Sequence, residues 1–186
     1  MTGALVYTMG PSGAGKDTLL RAAREILEGH GFAFANRYIT RPLVADDEIF
    51  VPLSRAAFAE RKAANLFAFD WRARDVDYAI GREIELWRAA GLTVVVSGSR
   101  AHFAAGDPGK VGAIPMLIDA THAVLAARLA ARGREPAAEI EARLARGAAL
   151  EGDIPGAIRI DNSGALADAV AAFVDALKTI RAKSGA

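Results

Sequence analysis

Apolar positions fall in short blocks separated by Gly, Pro and charged residues. The run ALVYTM over residues 4–9, closed by Gly10-Pro11, predicts a buried strand. Residues 16–28 predict a helix, with Leu19, Leu20, Ala23 and Leu27 on one side and Gly29 and Gly31 to end it. Residues 32–39 predict a second strand, followed by a polar segment through Pro52. Residues 54–62 predict a short helix with Ser54 as its N-cap. A helix over 82–90 is stopped by Gly91. The run LTVVV, residues 92–96, is the plainest buried strand, and its β-branched character suits a parallel sheet covered on both faces. Ile114–Ile118 predicts another strand, 121–132 a helix ending at Gly133, about 137–150 a further helix, and Ile158–Ile160 a last short strand. Over 165–182, Leu166, Val170, Phe173, Leu177 and Ile180 recur at spacings of four and three, the stripe of an amphipathic helix. Strands alternating with helices imply a parallel α/β sandwich.

Composition narrows the partners. The 186 residues suit one domain, and 52% hydrophobic residues supply a core. The net charge is +1, from 23 basic and 22 acidic side chains, which argues against a general binder of nucleic acid or membrane surfaces. Charge-based function is therefore local. Lys occurs only at 16, 62, 110, 178 and 183, so Arg carries most of the positive charge, and its planar fork suits phosphate oxygens. The absence of Cys excludes disulfides and thiolate catalysis, and three scattered His argue against a zinc site. The first apolar stretch is short, follows no basic segment and is broken by Gly-Pro, unlike a secretory signal. No apolar run reaches the length of a membrane span, so the expectation is a cytoplasmic protein. A homodimer is left open.

Gly10-Pro11-Ser12-Gly13-Ala14-Gly15-Lys16 lies between the first predicted strand and the first predicted helix, with the spacing G-x-x-x-x-G-K of a phosphate loop. Glycines let successive N–H groups turn inward on nucleotide phosphates, and the helix aims its positive end at the same anion. Lys16 then reaches the outer phosphates of ATP. The residue after Lys16 is Asp17, where a Ser or Thr hydroxyl normally meets Mg²⁺; Thr18 comes one position late. Asp17 is either a Mg²⁺ ligand or only an acid favoured in a first helical turn. The strand LTVVV runs into Ser97-Gly98-Ser99 with no carboxylate, so Asp17 is expected to supply the negative charge missing there.

Arg128, Arg132, Arg134, Arg143 and Arg146 fall in RLAARGREPAAEIEARLARG, a helix–turn–helix stretch that can serve as a lid. Arg132 and Arg143 are the candidates to close over a transferring phosphoryl group. Arg37 and Arg41 flank a predicted strand end in ANRYITRP, and Arg72, Arg74 and Arg82 surround an expected loop containing Tyr78; with Arg100 these could converge on an acceptor that bears phosphate. Arg41 and Arg100 stand out because they follow strand ends, where α/β sheets hold ligands. His102 lies close to Arg100 and is a further candidate contact of substrate.

The phosphate loop GPSGAGK, Thr40-Arg41-Pro42, the Tyr78 segment, RLAARG and Asp161-Asn162 resemble guanylate kinases in order and spacing over nearly the whole chain. GPSGAGKD, RYITR, SGSRAH and residues 133–147 resemble more closely the ribose 1,5-bisphosphate phosphokinases. The resemblance implies a three-layer α/β/α P-loop kinase fold with a core of about 1–34, 82–127 and 152–186, an acceptor-binding insert of about 35–81 and a lid of about 128–151. It implies ATP and Mg²⁺, and phosphorylation of a sugar bisphosphate at its 1-phosphate to give 5-phosphoribosyl 1-diphosphate, in phosphonate breakdown. Arg41 and Tyr78 would hold an acceptor phosphate, Arg100 and His102 the rest of the sugar bisphosphate, and Asn162 would lie near the donor base. Guanylate kinases read guanine with a Glu that here falls near Phe69 and with an acid that falls in Ser97-Gly98-Ser99, and their second phosphate-binding Arg falls near Val44. A base-reading carboxylate lost from a buried site leaves guanine donors unpaired, which disfavours GMP. The alternatives are a nucleoside monophosphate kinase and a non-catalytic guanylate-kinase-like binding module.

Overall fold

The fold is given by a computed structural model that describes residues 2–43, 50–73, 75–131, 136, 141, 142, 144, 145 and 154–185. The two least interrupted apolar runs become interior strands: β1 (Leu5–Met9) and β7 (Thr93–Ser97) are buried at every position. Both faces of these strands are covered, which is why neither shows polar alternation. They lie side by side in a five-stranded sheet with β2 (Phe32–Phe34), β8 (Ile114–Asp119) and β9 (Ile158–Asp161), in the order β2-β7-β1-β8-β9. Every pairing is parallel.

Alternation along β1 divides the core between the two faces. Val6 points to the side where α1 (Lys16–Leu27), α6 (His122–Ala131) and α7 (Leu166–Ser184) pack through Leu19, Leu129 and Phe173. Leu5, Tyr7 and Met9 point to the other side, against Ile84 of α3 (Glu83–Ala89) and residues of the second sheet. Arg181 of α7 donates from Nη1 to the carbonyls of Gly31 and Gly91, tying the last helix to the turns that precede β2 and β7.

The second sheet is mixed, with β4 (Phe50–Pro52), β3 (Arg37–Ile39), β6 (Val76–Gly81) and β5 (Phe67–Ala73) in that order. β5 and β6 form an antiparallel hairpin, and β3 pairs antiparallel to β6. The stretch 32–39 is therefore two strands in two sheets, where a single strand was expected. Phe34 pairs with Val95 in the core sheet, whereas Arg37 pairs with Ile80 in the second. The polar pair Asn36-Arg37 falls at the change of sheet, but such a pair does not by itself tell a break between two strands from the solvated side of one. Tyr78 likewise lies in a strand and not in a loop, because β6 carries only partly buried side chains at its start and shows no clean alternation. Short helices α4 (Arg100–Ala104) and α5 (Asp107–Lys110) follow β7 and were not predicted. α2 (Arg55–Ala63) starts where expected, with Ser54 Oγ accepting from Ala57 N at 3.1 Å. No described helix is long and apolar enough to cross a membrane.

The parallel strands bring their C-terminal ends to one edge, where α/β sheets hold ligands. The loop after β1, the Ser97 end of β7 and the start of β3 after β2 all meet there.

A candidate phosphoryl-transfer site

Two glycines bend the loop after β1. Gly13 has φ +89° and Gly15 φ +80°, left-handed values that other residues adopt at a cost. Gly10 is held for a different reason: a Cβ there would stand 2.1 Å from the Ile118 carbonyl oxygen. Gly15 caps α1 with no side-chain bond, so the helix opens on backbone amides. Asn162, only 1% exposed, braces the loop from behind, its Nδ2 donating to the Ala14 carbonyl at 2.7 Å. Its Oδ1 has no hydrogen-bond partner among the described residues. Arg128 Nη1 reaches the Gly13 carbonyl at 3.4 Å.

Lys16 leaves the first position of α1 and ends at the edge of the core sheet. Its Nζ donates to Ser97 Oγ at 2.8 Å and to Asp17 Oδ1 at 2.9 Å. Ser97 thus stands beside Lys16 at the end of β7, where an acid was looked for and not found. Asp17 Oδ1 also meets Arg37 Nη2 at 3.5 Å, and the Arg37 guanidinium lies over the Tyr78 ring, 5.8 Å from its centroid. A cleft opens beside this cluster, lined among others by Asp17, Arg21, Arg24, Asn36, Arg37 and Ser97. Thr40 is fastened to the Tyr78 strand by two bonds with Asp77: Thr40 N to the Asp77 carbonyl at 3.0 Å, and Asp77 N to Thr40 Oγ1 at 2.8 Å.

A stack of rings joins Tyr78 to the core. Trp71 lies 5.5 Å from Tyr78 at an interplanar angle of 7°, and His102 lies 5.0 Å from Trp71 at 19°. His102 Nδ1 is bonded to the Tyr7 hydroxyl at 2.8 Å, and that hydroxyl accepts from Ser99 N at 3.1 Å. Burial raises the Tyr7 pKa, against the Ser99 N–H and the charge of Arg37, so the phenol stays protonated. His102 Nε2 has no hydrogen-bond partner among the described residues.

Burial also pushes the His102 pKa down, against the carboxylates of Asp107 and Asp70. The unfolded chain therefore takes up this proton more readily than the folded one. Its stabilising contribution is complete above the ordinary histidine value and is lost as pH falls through the depressed folded value. The melting temperature should drop more for the parent than for His102→Gln between about pH 7 and about pH 5. Parallel slopes for the two proteins would contradict this.

Of the residues singled out from the sequence, Lys16, Asp17 and the loop 10–15 form one cluster, and Tyr78 meets it through Arg37. His102 connects to Tyr78 through Trp71. Arg100 is buried on α4. Arg41 lies to the side, its guanidinium 4.8 Å from the Phe50 ring centroid. Thr18 is exposed on α1. Arg132 and Arg143 lie outside the described residues, as do Arg74, Arg134, Arg146 and Val44. Sequence reasoning passed over Trp71, gave Ser97 only as the place of a missing acid, and counted Arg37 only among the arginines that could converge on an acceptor phosphate. Arg37 was within reach: it follows a strand end as Arg41 does, once β2 is taken to stop at Phe34.

The fold matches solved kinases. The chain superposes over 98% of its length on the crystal structure of guanylate kinase from Anaplasma phagocytophilum, covering 87% of that chain, with TM-score 0.63 at 13% identity. A gluconokinase from Sinorhizobium meliloti 1021 matches at TM-score 0.50 and 18% identity, over 98% of this chain and 95% of that one. The fold and its Gly-Lys loop define a P-loop kinase fold of the guanylate-kinase type. No family profile matches the chain. Curated relatives do. A ribose 1,5-bisphosphate phosphokinase PhnN from Desulfomicrobium baculatum is 48% identical over 165 residues, covering 88% of each chain. One from Burkholderia mallei is 49% identical over 168 residues, 89% of this chain and 90% of that one. One from Laribacter hongkongensis is 55% identical over 147 residues, 79% of this chain but 36% of that longer protein. The chain belongs to the ribose 1,5-bisphosphate phosphokinase PhnN family.

Proposed function

We propose that the protein transfers the γ-phosphoryl group of ATP to the 1-phosphate of ribose 1,5-bisphosphate, giving 5-phosphoribosyl 1-diphosphate and ADP. The observation that carries this reading is the meeting of Lys16, Asp17 and Ser97 with Arg37 and Tyr78 at one sheet edge. It sets a phosphate loop directly against cationic and hydroxyl side chains of the second sheet.

The acceptor oxygen belongs to a phosphate already ionised at neutral pH, so no general base is needed. Catalysis then consists of alignment and neutralisation of charge. The loop from Gly10 to Lys16, through the amides of residues 12–16 with Thr18 behind them, and the Lys16 ammonium hold the outer phosphates of ATP, while Pro11, which has no N–H, helps only to turn the chain. The glycine conformations fit that task, since side chains at 13 or 15 would be strained by their positive φ and one at 10 would strike the Ile118 carbonyl. Asp17, a carboxylate beside Lys16, is the residue that would hold Mg²⁺, and Mg²⁺ supplies further neutralisation when bound. Asn162 keeps the loop in shape on the donor side. Arg41 and Tyr78 hold an acceptor phosphate, one of the two that the sugar bisphosphate carries, and Arg100 and His102 shape the place of the sugar. Arg132 and Arg143, in a lid of about 128–151, close over the group in transfer, while the insert of about 35–81 carries the acceptor.

Guanine is disfavoured on the same grounds. The position matching a base-reading Glu is near Phe69, which is 6% exposed and meets Tyr7 edge-on at 6.1 Å. Phe69 offers no acceptor to guanine's N–H donors, and the adjacent Asp70 is already paired with Lys62. The test is an ADP-release assay with Mg²⁺ and ATP over a panel of acceptors. Ribose 1,5-bisphosphate should be turned over and GMP should not. Preference for GMP would sink the sugar reading and leave a nucleoside monophosphate kinase.

A further inference from the structure

We infer that Arg37 binds the acceptor's reacting phosphate, supplying from the start of β3 the second cation that is missing after Thr40-Arg41-Pro42. The inference rests on the sugar-bisphosphate reading above and adds a residue and a subsite to it.

Three observations converge on Arg37. Its side chain is only 12% exposed, and a guanidinium is withdrawn that far from water at a cost that partners must offset. One partner is Asp17, whose same oxygen lies 2.9 Å from Lys16 Nζ. Arg37 is therefore one carboxylate away from the ammonium that marks the outer phosphates of the donor. In phosphoryl transfer the attacking oxygen must lie close to that point and in line with it. A second contact is the ring of Tyr78, on the strand antiparallel to β3. Arg37 thus spans the gap between the phosphate loop and the acceptor sheet, on the wall of the cleft that contains Asp17 and Ser97.

Arg41 is placed differently. It rests on Phe50 of β4, toward the outer part of the second sheet. The two arginines of RYITR therefore divide the work, with Arg37 on the reacting phosphate and Arg41 further out. A guanidinium has five N–H donors, so one such group can hold a carboxylate and a phosphate together. Its fork suits a phosphate dianion better than an ammonium does.

A purely structural role, in which Arg37 only holds Asp17 and Tyr78 in place, predicts something different. Binding of ribose 1,5-bisphosphate, of ribose 5-phosphate and of ADP with Mg²⁺ should be measured by calorimetry on the parent, Arg37→Ala and Arg37→Lys. Ribose 5-phosphate lacks the phosphate assigned to Arg37. Arg37→Ala should weaken the bisphosphate about tenfold to a hundredfold. It should weaken ribose 5-phosphate by less than about threefold and leave ADP unchanged, with Arg37→Lys intermediate for the bisphosphate alone. Equal weakening of both sugars, or loss of ADP affinity in step with them, overturns the inference and leaves Arg37 a brace. If Arg37→Ala does not fold, the same comparison is decided on Arg37→Lys. A parent protein that binds no ribose 1,5-bisphosphate overturns the function proposed above and this inference together. A parent that binds it while the variants lose nothing selective overturns the inference alone.

Discussion

Lys16→Ala should lower the rate of ADP release by about a thousandfold while leaving the fold intact, because it removes a fixed positive charge from the place where charge is transferred. The Nζ is held by Ser97 Oγ at 2.8 Å and Asp17 Oδ1 at 2.9 Å, so its position is set before any nucleotide arrives. That preorganisation makes the ammonium effective, since it need not be ordered during the reaction. The truncation removes a mostly buried cation but does not strand its partners: Asp17 keeps Arg37, and Ser97 is a hydroxyl that water can satisfy. Thermal stability should therefore move little. Lys16→Arg should remain far below the parent, because a planar fork does not reproduce a compact point charge at the loop. Measured turnover within about tenfold of the parent in Lys16→Ala would show that the phosphates sit elsewhere. A parent already silent with ATP would instead favour a non-catalytic binding module.

Much of the frame was legible because the physics behind it is local. ALVYTM and the valines of LTVVV bury what their own spacing says they bury, and in the last helix Phe173, Leu177 and Ile180 do the same, while Leu166 at its start stays exposed and Val170 half-buried. The phosphate loop is legible for the same reason: Gly13 and Gly15 answer to backbone geometry within the loop, and only Gly10 answers to a distant strand. The acceptor side was harder. Asn36-Arg37 interrupt the apolar run of residues 32–39 where the chain leaves one sheet and joins another, but two polar residues also fit a single half-buried strand, and the pairings with Val95 and Ile80 record the change. The hairpin of β5 and β6 was hidden because Asp70, Arg72 and Asp77 interrupt its pattern; the pairing that aligns Trp71 with Tyr78 is a property of register. Arg37 was judged by a strand boundary placed five residues too late, Ile39 instead of Phe34. The same rule about strand ends that pointed to Arg41 points to Arg37 when the boundary moves.

Gly98→Ala should be the most damaging single-methyl change at the end of β7, because the added carbon has nowhere to go. A Cβ there would stand 1.9 Å from Tyr7 Cζ and 2.1 Å from its hydroxyl oxygen. A flexible side chain could move aside, but Tyr7 is 0% exposed and held on several sides. Phe103 lies 5.4 Å from its ring, and its hydroxyl is committed to His102 Nδ1 at 2.8 Å and Ser99 N at 3.1 Å. Overpacking of such a site costs about 3 kcal/mol, which for a chain of this size lowers the melting temperature by roughly 10 °C. An unchanged melting temperature would mean that the ring is not clamped as described. Tyr7→Leu should recover part of the loss when combined with Gly98→Ala, a non-additivity that independent sites do not show. The function should change in one direction only. Tyr7 orients His102, which stacks on Trp71 and through it on Tyr78, so the displacement travels to the acceptor side. KM for the sugar should rise in the variant while KM for ATP stays near the parent value, because Lys16 and the loop are anchored through Ser97, Asp17 and Asn162 and not through the ring column. The small residue after Ser97 is what lets a buried phenol reach the amide of Ser99 and the ring of His102 at the same time.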